Sequence, residues 1–473
     1  MSNRTNRLKK NTFLVFLGNA GSKLIGFFML PLYTRWMSVE EYGLADIITV
    51  YVTFLLGLVT CCISEAVFIF PKGQSKEIQK TYYSSALIFM LTMFGITASL
   101  FILFGIGAKQ FEIKNSFTEN LWLIYFMLLS NALMQFSQQF TRSIDKMTVY
   151  SITGIISTAS TALFSFLLIP SYNVVGYVWS LILAHLTACL YSFLFSRSYQ
   201  YIELSSLSYK ALQLLLRYSI PLIPNSIMWW IVHAINRPIM EANLGLHEIG
   251  IYAVANKFPS IISMLFSIFV TSWQISVLEE FGKKDYGQFY NKVLRLLFVV
   301  LIILLVLLTL TSRLLISLLA DEKYYEAWKF IPLLALGVVF QSIAGVAGSH
   351  FSATKESKYY FYSSLWGAIV ALLLNLILIP LWGVYGACLS VIFSFVALAL
   401  ARIFFGWKYV KIAHVNFYIQ AVFFTCLILA IEVMQINHLI SILLASIFIA
   451  WLLYTNENLV KFIFKDVRKS LKL

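Results

Sequence analysis

Residues 167–180, LLIPSYNVVGYVWS, return 210 positions later as residues 377–390, ILIPLWGVYGACLS. Leu168, Ile169, Pro170, Val174, Gly176 and Ser180 match Leu378, Ile379, Pro380, Val384, Gly386 and Ser390. Near the start of each half, Pro31, Glu41 and Gly43 match Pro238, Glu248 and Gly250 at an offset of 207. Chance matches are common in apolar sequence, so neither alignment decides anything alone. Two at nearly one offset argue for a duplicated block.

The material around these stretches is membrane-like. The chain has 473 residues, 60% of them hydrophobic and only 12% charged, with a mean hydropathy of +0.82. A soluble globular enzyme is excluded by that composition, and an all-α polytopic membrane protein is expected. Taking roughly 20 mostly apolar residues per crossing, fourteen spans are predicted: 12–34, 44–70, 83–108, 121–141, 150–170, 174–196, 213–240, 250–280, 293–319, 329–353, 359–380, 383–406, 417–435 and 438–455. The basic N-terminus, with Arg4, Arg7, Lys9 and Lys10, resembles a signal peptide. The run behind it carries Asn19 and Lys23 and has no small-residue cleavage site, so it reads as the first span. Six spans form each repeat, over 1–210 and 211–411, and spans 13 and 14 follow with a basic tail in 412–473. An even number of crossings makes the repeats parallel, with substrate expected between them.

Assigning Lys and Arg to loops gives 26 on the side of the N-terminus and 6 on the other. The positive-inside rule then places both termini in the cytoplasm. The net charge of +14 is explained by these short loops, and nucleic acid is not an expected partner. The five cysteines, Cys61, Cys62, Cys189, Cys388 and Cys426, sit in apolar segments without metal-ligand spacing. No metal site, organic cofactor or catalytic constellation is expected.

Three cations remain inside the spans: Lys23, Arg237 and Lys257. Each costs at least ~2.5–3.5 kcal/mol to insert, so each is expected to have a task or a partner. No carboxylate one turn away is expected to neutralise them. Lys23 lies roughly 16 Å into its span at 1.5 Å per residue, near the midplane. Arg237 and Lys257 fall toward the outer end, where Arg35 caps span 1. Polar stripes support a wet chamber: Asn19, Ser22, Lys23 and Gly26 in span 1; Asp46, Thr49, Thr53 and Gly57 in span 2; Asn131, Gln135, Gln138 and Arg142 in span 4. The second half repeats the pattern, with Asn225, Trp229, His233 and Arg237 in span 7, Asn256 to Gln274 in span 8, and Gln341 to Ser352 in span 10. Ser, Thr and Gly alone would read as helix packing; Lys, Arg, His and Gln on matched spans do not. His233 offers either a pH-dependent charge or a neutral hydrogen-bonding group. Asp46 and Glu65 either pair with a cation or exchange H⁺ or Na⁺ for cargo. Glu432 reads as interfacial, without a role.

The run PLYTRWMSVEEYG (31–43) resembles the signature of Wzx-type polysaccharide flippases of the multidrug/oligosaccharidyl-lipid/polysaccharide exporter superfamily. LGLHEIGIYAVANKF (244–258) and IPLWGVYGA (379–387) are similar to segments of the same group. This resemblance implies a V-shaped pair of six-helix bundles that open alternately to the two sides of a bacterial cytoplasmic membrane. It implies an undecaprenyl-diphosphate-linked oligosaccharide as cargo, with membrane lipids, a polysaccharide polymerase and glycosyltransferases as partners. It also implies that Lys23, Arg35, Arg237 and Lys257 engage the diphosphate. Coupling to H⁺, Na⁺ or the membrane potential stays open. Two rivals are weaker. A cation-drug antiporter of the same fold would present acids to its cargo, and a membrane polymerase would need larger outer loops.

Overall fold

The computed structural model describes residues 26–354 and 356–457, without the side chains of residues 271, 275 and 357. Every regular element among the described residues is helical. The main helices are α1 (Leu30–Trp36), α2 (Val39–Val59), α3 (Ile63–Ile69), α4 (Lys76–Gln110), α5 (Leu121–Ser143), α6 (Met147–Phe195), α7 (Tyr209–Ser219), α8 (Ile223–Ala234) and α9 (Asn236–Asn243). They continue as α10 (Leu246–Lys257), α11 (Pro259–Glu280), α12 (Tyr286–Leu319), α13 (Ile331–Ala347), α14 (Ser357–Gly406), α15 (Val415–Val433) and α16 (His438–Thr455). Among the described residues, nine helical segments are long and apolar enough to cross a membrane. The protein is an all-α polytopic membrane protein.

The repeat governs the two longest elements. α6 has 49 residues and α14 has 50, and each folds back on itself. Asn173 (φ 49°, ψ −127°) and Gly383 (φ 58°, ψ −134°) interrupt them, three residues after Pro170 and Pro380. These dihedrals mirror the first central residue of a type II turn, a position that favours glycine. The reversal is tight: Ser165 and Ser180, 15 residues apart in sequence, hydrogen-bond at 2.9 Å. A Cβ on Gly176 would strike the carbonyl of Leu168, and one on Gly386 would strike that of Leu378. The matched prolines, glycines and turn residues therefore build the same hairpin twice. Each hairpin holds two of the predicted spans.

Other predicted spans are broken. Span 2 divides into α2 and α3 at Cys61 (φ 48°) and Cys62 (φ 53°), whose thiols lie 3.6 and 3.7 Å from the carbonyls of Leu58 and Gly57. Span 7 divides into α7, a 3₁₀ turn at Ile220–Leu222, α8 and α9. Pro221, Pro224 and Pro238 explain this, since each removes an N–H and crowds the preceding turn. Span 8 breaks between Lys257 and Pro259, which opens α11.

The chain packs as two compact units, Met1–Gly250 and Ile251–Leu473. The first unit has its core around Ile48, Val52, Tyr83, Phe94, Phe136 and Phe140. The second is centred on α12, where Phe298, Ile302 and Leu305 meet Val339 of α13 and Phe448 of α16. Two polar groups differ from the sequence expectation. Glu432 is not interfacial: it is 1% exposed and is held by Arg313 Nε at 3.1 Å, His438 Nδ1 at 3.0 Å and Ser441 Oγ at 2.6 Å. Arg402, one of the 26 cations assigned to the side of the N-terminus although it falls near the end of span 383–406, is 3% exposed. Its Nη1 donates to the Ala344 carbonyl at the end of α13 (2.9 Å), its Nε to Ser363 Oγ (3.3 Å), and its plane faces the Tyr360 ring.

Candidate functional site

The signature run 31–43 has a local structural explanation. Pro31 sits in the first turn of α1, where a missing N–H costs nothing. Ser38 caps α2: its Oγ accepts from Glu41 N–H at 3.2 Å, and the Glu41 carboxylate accepts from Ser38 N–H at 2.8 Å. This reciprocal box fixes the start of α2. Gly43 then lets α10 approach. A Cβ on Gly43 would meet the carbonyl of Leu246, and one on Gly250 would meet that of Val39. Val39 and Gly43 are the 207-residue counterparts of Leu246 and Gly250, so the repeat pairs with itself at this crossing within the first unit.

From that fixed start, α2 runs antiparallel along α8 and α9. Gly57 faces Ser226, the Trp230 indole packs on Phe54 (4.5 Å between centroids), and Trp230 Nε1 donates to the Val50 carbonyl at 3.0 Å. Asp46 and Arg237 end the seam. Arg237 Nε lies 3.3 Å from Asp46 Oδ2, while Nη1 donates to the His233 carbonyl (2.7 Å) and Asn236 Oδ1 (2.9 Å). Arg237 is 6% exposed and Asn236 is 1% exposed. Pro238 has no N–H and its ring crowds the carbonyl four residues back, so the junction of α8 and α9 leaves carbonyls without helical partners. Arg237 fills that break with its own side chain. His233 stacks on Trp229 with ring centroids 5.3 Å apart.

One turn beyond Arg237, Glu241 accepts from Tyr51 Oη and from the Ser116 backbone N–H, both at 2.7 Å. Sequence reasoning passed over Glu241, although its i+4 spacing from Arg237 marks it. That acid is the local carboxylate not expected from sequence, yet Arg237 pairs with Asp46, 191 residues away in sequence. An aspartate, an arginine, a glutamate and a tyrosine thus join α2, α9 and the 111–120 segment into one polar clasp.

The remaining site residues are dispersed. Lys23 and Asn19 lie outside the described residues. Arg35 is exposed in the last turn of α1. Lys257 is half-buried at the end of α10 beside half-buried Asn256, and forms no ion pair among the described residues. Gln135 on α5 and Gln341 on α13 are half-buried. Glu65 on α3 is exposed and accepts from Gln139 Nε2 at 3.5 Å, and pairs with no cation among the described residues. Of the predicted set, the structure brings together Asp46, His233 and Arg237. Among the described residues, no cluster of three His, Cys, Asp or Glu side chains is arranged to hold a metal.

Comparison with known proteins agrees with this architecture. An uncharacterised membrane protein of Methanocaldococcus jannaschii is 22% identical over 430 residues, covering 84% of this chain and 97% of that protein. The structure of the lipid II flippase MurJ in an inward closed conformation superposes with a TM-score of 0.68 at 15% identity, covering 95% of this chain and 99% of that one. An inward-facing multidrug resistance MATE family transporter gives 0.63 at 12% identity, covering 83% and 94%. At these identities the likeness establishes the fold. The MatE family pattern matches residues 221–377. The polysaccharide biosynthesis protein pattern matches residues 8–274, more than half of the chain. The chain therefore belongs to the polysaccharide biosynthesis protein family.

Proposed function

We propose that this protein flips a polyprenyl-diphosphate-linked oligosaccharide from the cytoplasmic to the outer leaflet of the cytoplasmic membrane by alternating access, with both termini in the cytoplasm. The observation that carries this reading is Lys257: a half-buried lysine without an ion pair among the described residues, in a chain of the polysaccharide biosynthesis family. A diphosphate supplies the counter-charge that this lysine lacks, and an ammonium meets a phosphate as a compact point charge. Lys23 and Arg35 serve the same cargo in this reading.

Arg237 has a different part. Its pairing with Asp46 holds α2 against α9 at the end of the helices opposite the basic loops. An arriving diphosphate carries more charge than one carboxylate and competes for the guanidinium. Release of Asp46 then loosens the clasp as cargo engages, coupling occupancy to opening. H⁺, Na⁺ or the membrane potential drives the cycle, with Glu65 and a freed Asp46 as the acids available to exchange an ion.

Reconstitution tests this directly. Vesicles holding the protein should move a labelled polyprenyl-diphosphate glycan between leaflets, and Lys257→Ala should reduce the rate at least tenfold while Lys257→Arg retains a measurable part. Unchanged flipping in Lys257→Ala would overturn the diphosphate assignment. Imposed pH, Na⁺ and voltage gradients separate the coupling options. The MatE match over 221–377 favours a second reading, drug antiport. That reading requires efflux of cationic dyes from the same vesicles, which a flippase does not perform.

A further inference from the structure

The second unit contains two cavities of opposite character that share an edge. One, of about 870 Å³, is lined among the described residues by Lys284, Lys292, Arg295 and Lys411 together with one carboxylate, Glu457. The other, of about 510 Å³, has only apolar and aromatic lining, from Leu294 and Phe298 to Trp407 and Ile419. Tyr418 lines both, and Leu294–Arg295 and Lys411–Ile412 each contribute one residue to either side. A basic chamber therefore abuts an oily one across Tyr418.

The boundary is built rather than incidental. Arg295 Nε donates to Asn456 Oδ1 at 2.6 Å, Nη2 donates to the Thr455 carbonyl at 3.1 Å, and the guanidinium stacks on Phe417. Asn291 ties the 409–414 loop to α12, donating to the Lys411 carbonyl (3.0 Å) and accepting from Ala413 N–H (2.7 Å). Lys284 and Lys411 stand exposed at the rim.

We propose that this paired cavity is a binding site for an anionic glycerophospholipid of the cytoplasmic leaflet, with its phosphate in the basic chamber and an acyl chain in the apolar one. The leaflet rests on the orientation proposed above, since the lysine-rich loops mark the side where anionic lipids concentrate. Size separates this ligand from the cargo. Taking a methylene at about the 30 Å³ of a water molecule, the apolar cavity of about 510 Å³ holds on the order of 17 carbons. That is one acyl chain and far too little for a polyprenyl tail.

The test is native mass spectrometry of the full chain in detergent with phosphatidylglycerol or phosphatidylcholine. Phosphatidylglycerol should be retained selectively. Lys284→Gln with Lys411→Gln should weaken its retention by roughly ten- to thirtyfold, as expected for two basic side chains at an anionic headgroup. Ala399→Trp, which fills the apolar cavity without touching charge, should weaken it as well, and soluble glycerol phosphate should compete poorly. Equal retention of both lipids, no effect of the two lysine changes, or full competition by glycerol phosphate would each overturn the proposal. The readout is binding in detergent, so failure to flip a glycan leaves it untouched.

Discussion

Arg237 shows how a buried cation is held by protein acceptors. Its three acceptors are a carboxylate, an amide oxygen and a carbonyl freed by a helix break. A lysine ammonium gathers its donors on one atom and cannot span the separate positions that Nε and Nη1 reach, so Arg237→Lys should be far from conservative. Asp46→Asn keeps the shape but removes the charge; with two acceptors left, we expect a loss of about 1–3 kcal/mol, read as a lower unfolding temperature in detergent. The same change should raise the labelling of a cysteine placed at Phe54 by an impermeant thiol reagent, because the clasp opens more often. Unchanged labelling would argue against a gating role. Glu432 provides a comparison in the second unit. Glu432→Gln leaves Arg313 over Trp328 without its carboxylate, and since Arg313 is about a third exposed the expected loss is about 2–3 kcal/mol. Ser441→Ala should cost less, and a thermal-shift series would rank the two.

Helices in lipid are held together by close packing, so the glycines of the crossing matter more than their size suggests. Gly43→Ala and Gly250→Ala should each destabilise by about 1–3 kcal/mol through overpacking, and by similar amounts because the contact is symmetric. Gly95 has no atom near its absent Cβ, so Gly95→Ala should be neutral or stabilising by up to about 1 kcal/mol. The hairpin turns give an opposed pair. Asn173→Gly should relieve, and Gly383→Ala should introduce, strain on the order of 1–3 kcal/mol. At the basic face, Lys80 bonds the Glu203 carboxylate at 2.9 Å and holds it below the ordinary carboxylate range, while Glu203 holds the lysine above its own. The clasp is complete between those two ranges. It is lost as pH falls through the lowered value of Glu203 or rises through the raised value of Lys80. The protection of the 198–206 amides, taken relative to their intrinsic exchange rates at each pH, should fall at both limits and be highest near neutrality.

At the scale of the molecule, the orientation itself is testable: reporters fused to either terminus should be active only in the cytoplasm, and an active periplasmic reporter would reverse every side assigned above. The duplication, the helical class and the hairpin pairs were legible from residues alone because apolar length, proline position and backbone-crowding glycines act locally. So was the Asp46–Arg237 alternative, since an inserted cation needs a counter-charge wherever it sits. The sequence did not show which acid would supply it. Glu241 is one turn away and Asp46 is 191 residues away, and only the antiparallel seam of α2 with α8 and α9 decides for Asp46. Arg402 and Glu432 carry the same lesson: composition counts a charge, but its burial depends on helices that meet only after folding. Local sterics and hydropathy determine the helices; pairing across distant segments determines which of their charges remain available to a ligand.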